Sequence, residues 1–301
     1  MNRVLTAIVE PGFFGSAPVH VALLAGGVAA VVSGVVGTFM VMRGQSYAGH
    51  ALADISVTGG SGSFLIGISP LWGFAGTSVA AAGIMDLIGV RRPRGRDLAT
   101  GIVRGAGLGL GALFLYWDTT HTSTTGATVT ILFGSMFTID SSVIPVVAVF
   151  SLAAVGIVAA LYRPLLLSSA SSDLAVVRGV RVRTTGALCL VAIALAVSLS
   201  ALTIGAILST ALLVGPAATA LRLTARPALV MLWSALTGLA ATWLGILLAF
   251  DSYYWPPERQ GWPVSFFVVA LVLIFYLLAQ ACPAGRAGKP GRGVGRCSPR
   301  S

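Results

Sequence analysis

Residues 19–42 read "VHVALLAGGVAAVVSGVVGTFMVM", 24 consecutive positions without Asp, Glu, Lys or Arg. A helix of that length is roughly 36 Å long at about 1.5 Å per residue, enough to cross the ~30 Å hydrocarbon core of a bilayer. Similar apolar runs recur at 46–66, 70–90, 98–117, 143–162, 184–200, 203–221, 228–250 and 264–280. The chain has 301 residues, 56% of them hydrophobic and 9% charged, with a mean hydropathy of +0.92, which lies far outside soluble domains. The fold class is therefore all-α, a polytopic membrane protein of eight or nine transmembrane helices placed in the cell membrane. No cleavage-like site separates the first run from the second, so the first span is expected to be retained.

The formal charge of +10 raises nucleic acid as a partner, but the basic residues are scattered over short loops, which is the pattern of topology rather than of a binding face. Arg43, the group Arg91, Arg92, Arg94 and Arg96, then Arg163, Arg178, Arg181 and Arg183, then Arg222 and Arg226, and the tail with Arg286, Lys289, Arg292, Arg296 and Arg300 fall on one side. The other side keeps Arg3 and Arg259 beside Glu10, Asp118, Asp140, Asp251 and Glu258. Nine spans with the N-terminus outside and the C-terminus in the cytoplasm satisfy this bias.

Three regions follow. Residues 1–18 are expected to be an extracytoplasmic or interfacial segment, 19–280 the transmembrane domain, and 281–301 a disordered basic cytoplasmic tail, because the Gly-, Pro- and Arg-rich end lacks apolar residues with which to pack. "TGATVTILFGSMF" (125–137) is too short to cross and is expected to be re-entrant or interfacial. The loop 162–183 contains a short helix signal: Ser172 as N-cap, Asp173 in the first turn, Arg178 at the end and Gly179 to close it. An isolated helix of two turns is marginal in water, so it is expected to dock on something.

Polar residues inside the apolar runs carry the chemistry. His50 and Asp54, in "GHALADI" (49–55), stand four apart and so share one helix face. Neutral imidazole with carboxylate suits a divalent transition metal and supplies too few oxygens for magnesium or calcium. The competing reading is a buried hydrogen-bonded pair that ties helices together. An aspartate at mid-membrane costs about 2.5–3.5 kcal/mol on insertion scales, which favours metal or proton handling. The small residues Ala48, Gly49, Ala51, Ala53 and Ser56 place this span in the bundle interior, while "TGGSGS" (58–63) is expected to weaken its outer half. Asp86 is read as a salt-bridge partner of Arg91 or Arg104, and His20 as an interfacial residue. Asp118 and His121 fall in an expected outer loop, where they offer a way in for a cation or are simply solvated. Cys189, Cys282 and Cys297 have neither metal-ligand spacing nor disulfide partners. HExxH, G-x-S-x-G and P-loop lysine motifs are absent, so ATP hydrolysis by this chain is not expected.

Several segments in order resemble the membrane permease subunit of metal-ion (zinc/manganese/iron) ABC importers: "GTFMVMRGQSYAGHALADISVTGG", "GRDLATGIV", "ILFGSMFTID", "YRPLLLSSASSDLAVVRGV" and "TIGAILSTALLVGPAATALRL". The resemblance covers about residues 19–280. That family usually has Asp first and His four residues later; here the order is inverted, with Ala53 at the serine position. Its L-P-G is replaced by Thr58-Gly59-Gly60, where a break in the helix is expected.

The resemblance implies a homodimeric pore in which His50 and Asp54 of both copies hold the transported ion. It also implies a separate ABC ATPase docked on a coupling helix over Ser172, Asp173, Leu174, Ala175, Arg178 and Gly179, and an extracytoplasmic metal-binding protein that delivers the ion. Zn2+ or Mn2+ is then substrate, zinc slightly favoured because an imidazole is present, and no intrinsic cofactor is expected. The remaining readings are a siderophore or cobalamin-type permease, a cation-driven secondary metal transporter, and an intramembrane metal-dependent hydrolase. The last would need a third ligand, for which Asp86 is the remaining buried carboxylate.

Overall fold

The computed structural model describes residues 16–89, 93–121, 125–134, 136–253 and 261–281. The expected interfacial segment before residue 16, Arg91, Arg92, Cys282, Cys297 and the basic tail lie outside the described residues. The helices are α1 (Ala17–Met42), α2 (Ser46–Ile66), α3 (Pro70–Gly89), α4 (Pro93–His121), α5 (Thr125–Phe133), α6 (Ile144–Ala160), α7 (Tyr162–Ala170), α8 (Ser172–Val177), α9 (Val182–Ile204), α10 (Ala206–Leu223), α11 (Pro227–Ser252) and α12 (Val264–Ala281). No strand occurs among the described residues.

Nine of these helices match the nine apolar runs. Seven are long and apolar enough to cross a membrane by composition alone; α2 and α4 are not among them. Those two exceptions carry His50, Asp54 and Arg104, so the helices least suited to lipid are the ones that bring polar chemistry into the bundle.

The bundle is organised around α1 and α9. α1 packs on α6, α9, α10 and α11, while α2 packs on α3, α4, α9 and α10. α6 and α12 are the least buried spans and present Val149, Leu152, Leu273 and Ile274 outward, as lipid contact requires. Without a hydrophobic drive between helices in lipid, close approach and polar contacts hold them together. Ser33 and Ser200 share a hydrogen bond of 2.8 Å between α1 and α9, and the Ser234 hydroxyl of α11 donates to the Gly34 carbonyl at 2.9 Å.

The expected break at Thr58-Gly59-Gly60 does not occur: α2 is continuous from Ser46 to Ile66. Its glycines instead allow α3 to press against it. A methyl group on Gly59 would overlap the Gly73 carbonyl oxygen, and one on Gly73 would overlap that of Gly59.

α5 is nine residues long, about 14 Å and too short to cross. It ends at Gly134, which has φ +79° and lies against Gly205 at the α9–α10 junction, itself at φ +87°. Both left-handed backbones need glycine. Asp140 then caps the entrance to α6, its Oδ1 accepting the Ser142 N–H at 3.0 Å, and this bond holds the Asp140 carboxyl below its ordinary range.

On the side of the Arg-rich loops, Arg43 donates to the Ser168 hydroxyl of α7, and Cys189 donates to Gln45 Oε1 at 3.8 Å. α7 was not expected within the loop; Leu165, fully buried, anchors it.

Candidate metal-ion site

α2 starts at Ser46, so Asp54 lies about 12 Å along the helix axis and His50 about 6 Å. The pair therefore lies in the half of α2 nearer Arg43. His50 Nε2 and Asp54 Oδ2 are 3.8 Å apart, one turn apart on one face as the spacing requires. His50 Nδ1 is 3.3 Å from Thr210 Oγ1 of α10, which fixes the ring from its other nitrogen and leaves Nε2 directed at the carboxylate side.

A third element completes the cluster. Arg104 Nε donates to Asp54 Oδ2 at 2.5 Å. α4 comes this close through its small residues. Gly107 lies where an added methyl would meet Ile55 Cγ1 at 2.6 Å, and Thr58 Oγ1 donates to the Gly107 carbonyl at 2.5 Å. Arg104, one turn before Gly107, is thereby set beside Asp54, one residue before Ile55.

Asp54 is 14% exposed, Arg104 31% and His50 44%. The cluster thus opens on one side of the single chain, where the imidazole faces outward and the carboxylate lies behind it. Among the described residues no group of three or more His, Cys, Asp or Glu gathers within one chain.

The structure revises several sequence readings. Arg104 is committed to Asp54 and not to Asp86, and Arg91 lies outside the described residues. Asp118 and His121 are helical, in the last turn of α4, rather than in a loop. Asp118 is buried at 1% exposure, whereas His121 is exposed, with Nδ1 2.9 Å from Thr120 Oγ1 and its ring against Trp117. His20 lies in the first turn of α1 and is exposed.

The expected short helix is present as α8, but its N-cap is Ser171, whose hydroxyl accepts the Leu174 N–H at 3.4 Å, and not Ser172. Asp173 occupies its first turn, Arg178 its C-cap, and Gly179, at φ +75°, donates to the Val176 carbonyl. Ala175 is fully buried and anchors the helix, while Leu174, Val176 and Val177 are exposed. Val176 and Val177 were not singled out from the sequence, although an apolar pair in a polar loop is a signal for a docking face.

The model of the ABC 3 transport family matches residues 18–281. The chain belongs to that family. This agrees with the resemblance carried by the quoted segments, and it makes the chain a multi-pass permease of the cell membrane. The manganese transport system membrane protein MntC of Listeria innocua is 29% identical over 221 residues, covering 73% of this chain and 77% of that one. The high-affinity zinc uptake system membrane protein ZnuB of Buchnera aphidicola is 24% identical over 226 residues, covering 75% and 86%. Among solved structures, PsaBC from Streptococcus pneumoniae in complex with Fab superposes with a TM-score of 0.75 at 24% identity, over 89% of this chain and 92% of that one.

Proposed function

We propose that this chain forms the pathway by which a divalent transition-metal ion, manganese or zinc, enters the cell, with ATP hydrolysed by a separate ABC ATPase. The observation that carries the reading is the His50–Asp54 pair, one turn apart with Nε2 and Oδ2 3.8 Å from each other on an interior helix. Two ligands per chain leave the ion half coordinated, and the partial exposure of His50 leaves room for a second copy to supply the other half. An ion held between two copies is released when they separate, which matches the need to bind and then let go.

The preference for zinc over manganese expected from the imidazole finds no support in the more similar relative, which is named for manganese; imidazole and carboxylate accept either ion. The exposed apolar tip Leu174, Val176 and Val177 of α8 suits a groove on an ATPase subunit, and an extracytoplasmic binding protein would deliver the ion to the opposite face. Asp118, buried in α4, and His121, exposed at its end, would be the residues that draw the ion in.

Uptake of radioactive manganese, zinc and an iron chelate by cells with and without the chain tests the reading. Loss of manganese or zinc uptake alone is expected. Loss of chelate uptake alone would assign the chain to the siderophore type instead.

A further inference from the structure

The carboxylate assigned to the ion already has a cation on it. Arg104 Nε lies 2.5 Å from Asp54 Oδ2, nearer than His50 Nε2 at 3.8 Å. With a neutral imidazole, the charges of Asp54 and Arg104 cancel, so a single chain presents a divalent ion with no net negative charge at this point. A guanidinium carries five donors and no lone pair, so it occupies carboxylate oxygens but never joins a metal's coordination shell. Every ligand position it covers is lost to the ion.

We propose that Arg104 is a tethered competitor for Asp54: it occupies the carboxylate when no ion is present and yields it when one arrives. This rests on the reading of His50 and Asp54 as the metal site. Among the described residues the other group recorded against the carboxylate is the His50 imidazole on α2, which is held from its far nitrogen by Thr210 on α10. Arg104 is the cation paired with it.

The tether explains how a tight site empties. As the ion leaves, the guanidinium returns to Asp54, so the vacated carboxylate is not left unpaired in the bundle and the ion meets a neutralised site if it tries to return. Arg104 is itself 31% exposed, which gives the side chain space to swing aside. A site that is competent only when the pair is open has its apparent affinity weakened by the open fraction. A pair closed nine times in ten therefore weakens binding about tenfold.

The test is Mn2+ binding to the purified full chain, followed by the loss of the free-ion electron paramagnetic resonance signal. It compares wild type, Arg104→Gln, Arg104→Lys, Asp54→Asn and the Arg104→Gln/Asp54→Asn double variant. Arg104→Gln is expected to bind about tenfold tighter, and added guanidinium ion to return it towards wild type while leaving wild type unchanged. Arg104→Lys keeps a tethered cation without the planar fork and is expected to lie between the two; it also serves if the Gln variant fails to fold. Asp54→Asn is expected to abolish binding in either background. Equal or weaker binding by both Arg104 variants, with Asp54→Asn still inactive, would overturn the competitor and leave the metal site standing. Undiminished binding by Asp54→Asn would overturn the metal site itself, and the competitor with it.

Discussion

Arg104 of α4 and Asp54 of α2 are joined at 2.5 Å across the interior of the bundle, fifty positions apart in sequence. The pair is partly shielded, with 31% and 14% of the side chains exposed, so its contribution lies between that of a surface pair and that of a buried one. Removing either charge is expected to cost about 1–2 kcal/mol of stability. Removing both is expected to cost about 1 kcal/mol less than the sum. Thermal unfolding of Asp54→Asn, Arg104→Gln and the double variant in detergent measures this coupling; strictly additive losses would show that the two groups do not support one another.

His50→Ala is expected to behave differently. The ring is 44% exposed and meets Thr210 at 3.3 Å and Asp54 at the longer 3.8 Å, so stability should change by no more than about 0.5 kcal/mol. Metal uptake should nevertheless fall to background. Comparing melting temperature with uptake of radioactive manganese separates the two effects, and uptake that survives the substitution would remove the imidazole from the site.

For α8, the exposed Leu174 and Val177 are predicted to touch the ATPase. Leu174→Arg and Val177→Asp should leave the melting temperature unchanged but release ATP hydrolysis from transport in reconstituted vesicles. Ser171→Ala, which removes the cap, should weaken the same coupling by loosening the helix, at a cost of about 1 kcal/mol. Normal coupling in all three variants would reduce the loop to a tether.

Gly59→Ala probes the packing that places the cluster. A methyl at this position overlaps the Gly73 carbonyl of α3, a backbone atom that cannot turn aside. The α2–α3 crossing must then open, at a cost of about 1–3 kcal/mol. A lowered melting temperature is expected, whereas Gly76→Ala, which meets open space on α3, should be neutral.

The spans were legible because lipid imposes one rule on every residue of a run: the stretch read as 228–250 is observed as Pro227–Ser252, and 264–280 as Val264–Ala281. The fourth span extends beyond its apolar part, from Pro93 to His121, because a helix continues into charged ends that hydropathy alone cuts off. The face shared by His50 and Asp54 was also legible, since helical periodicity fixes it.

Contacts between helices were not legible. Nothing in the local pattern says that Arg104 meets Asp54 rather than Asp86, because that choice follows from the approach of α4 at Gly107. The glycines at 59 and 60 were misread for a related reason. Their intrinsic cost in a helix suggests a break, but tertiary packing of Gly59 against Gly73 and of Gly60 against the Phe74 ring offsets it. At α8, adjacent serines have the same capping chemistry, and only the backbone geometry selects Ser171 over Ser172.

The claim on which the account turns is that His50 and Asp54 line the path of the ion. ATP-driven accumulation of radioactive manganese and zinc, in vesicles holding this chain with its ATPase and binding protein, tests it most directly. Accumulation is predicted to fall to background in Asp54→Ala while assembly with the ATPase persists. Accumulation by Asp54→Ala at the wild-type rate would contradict it.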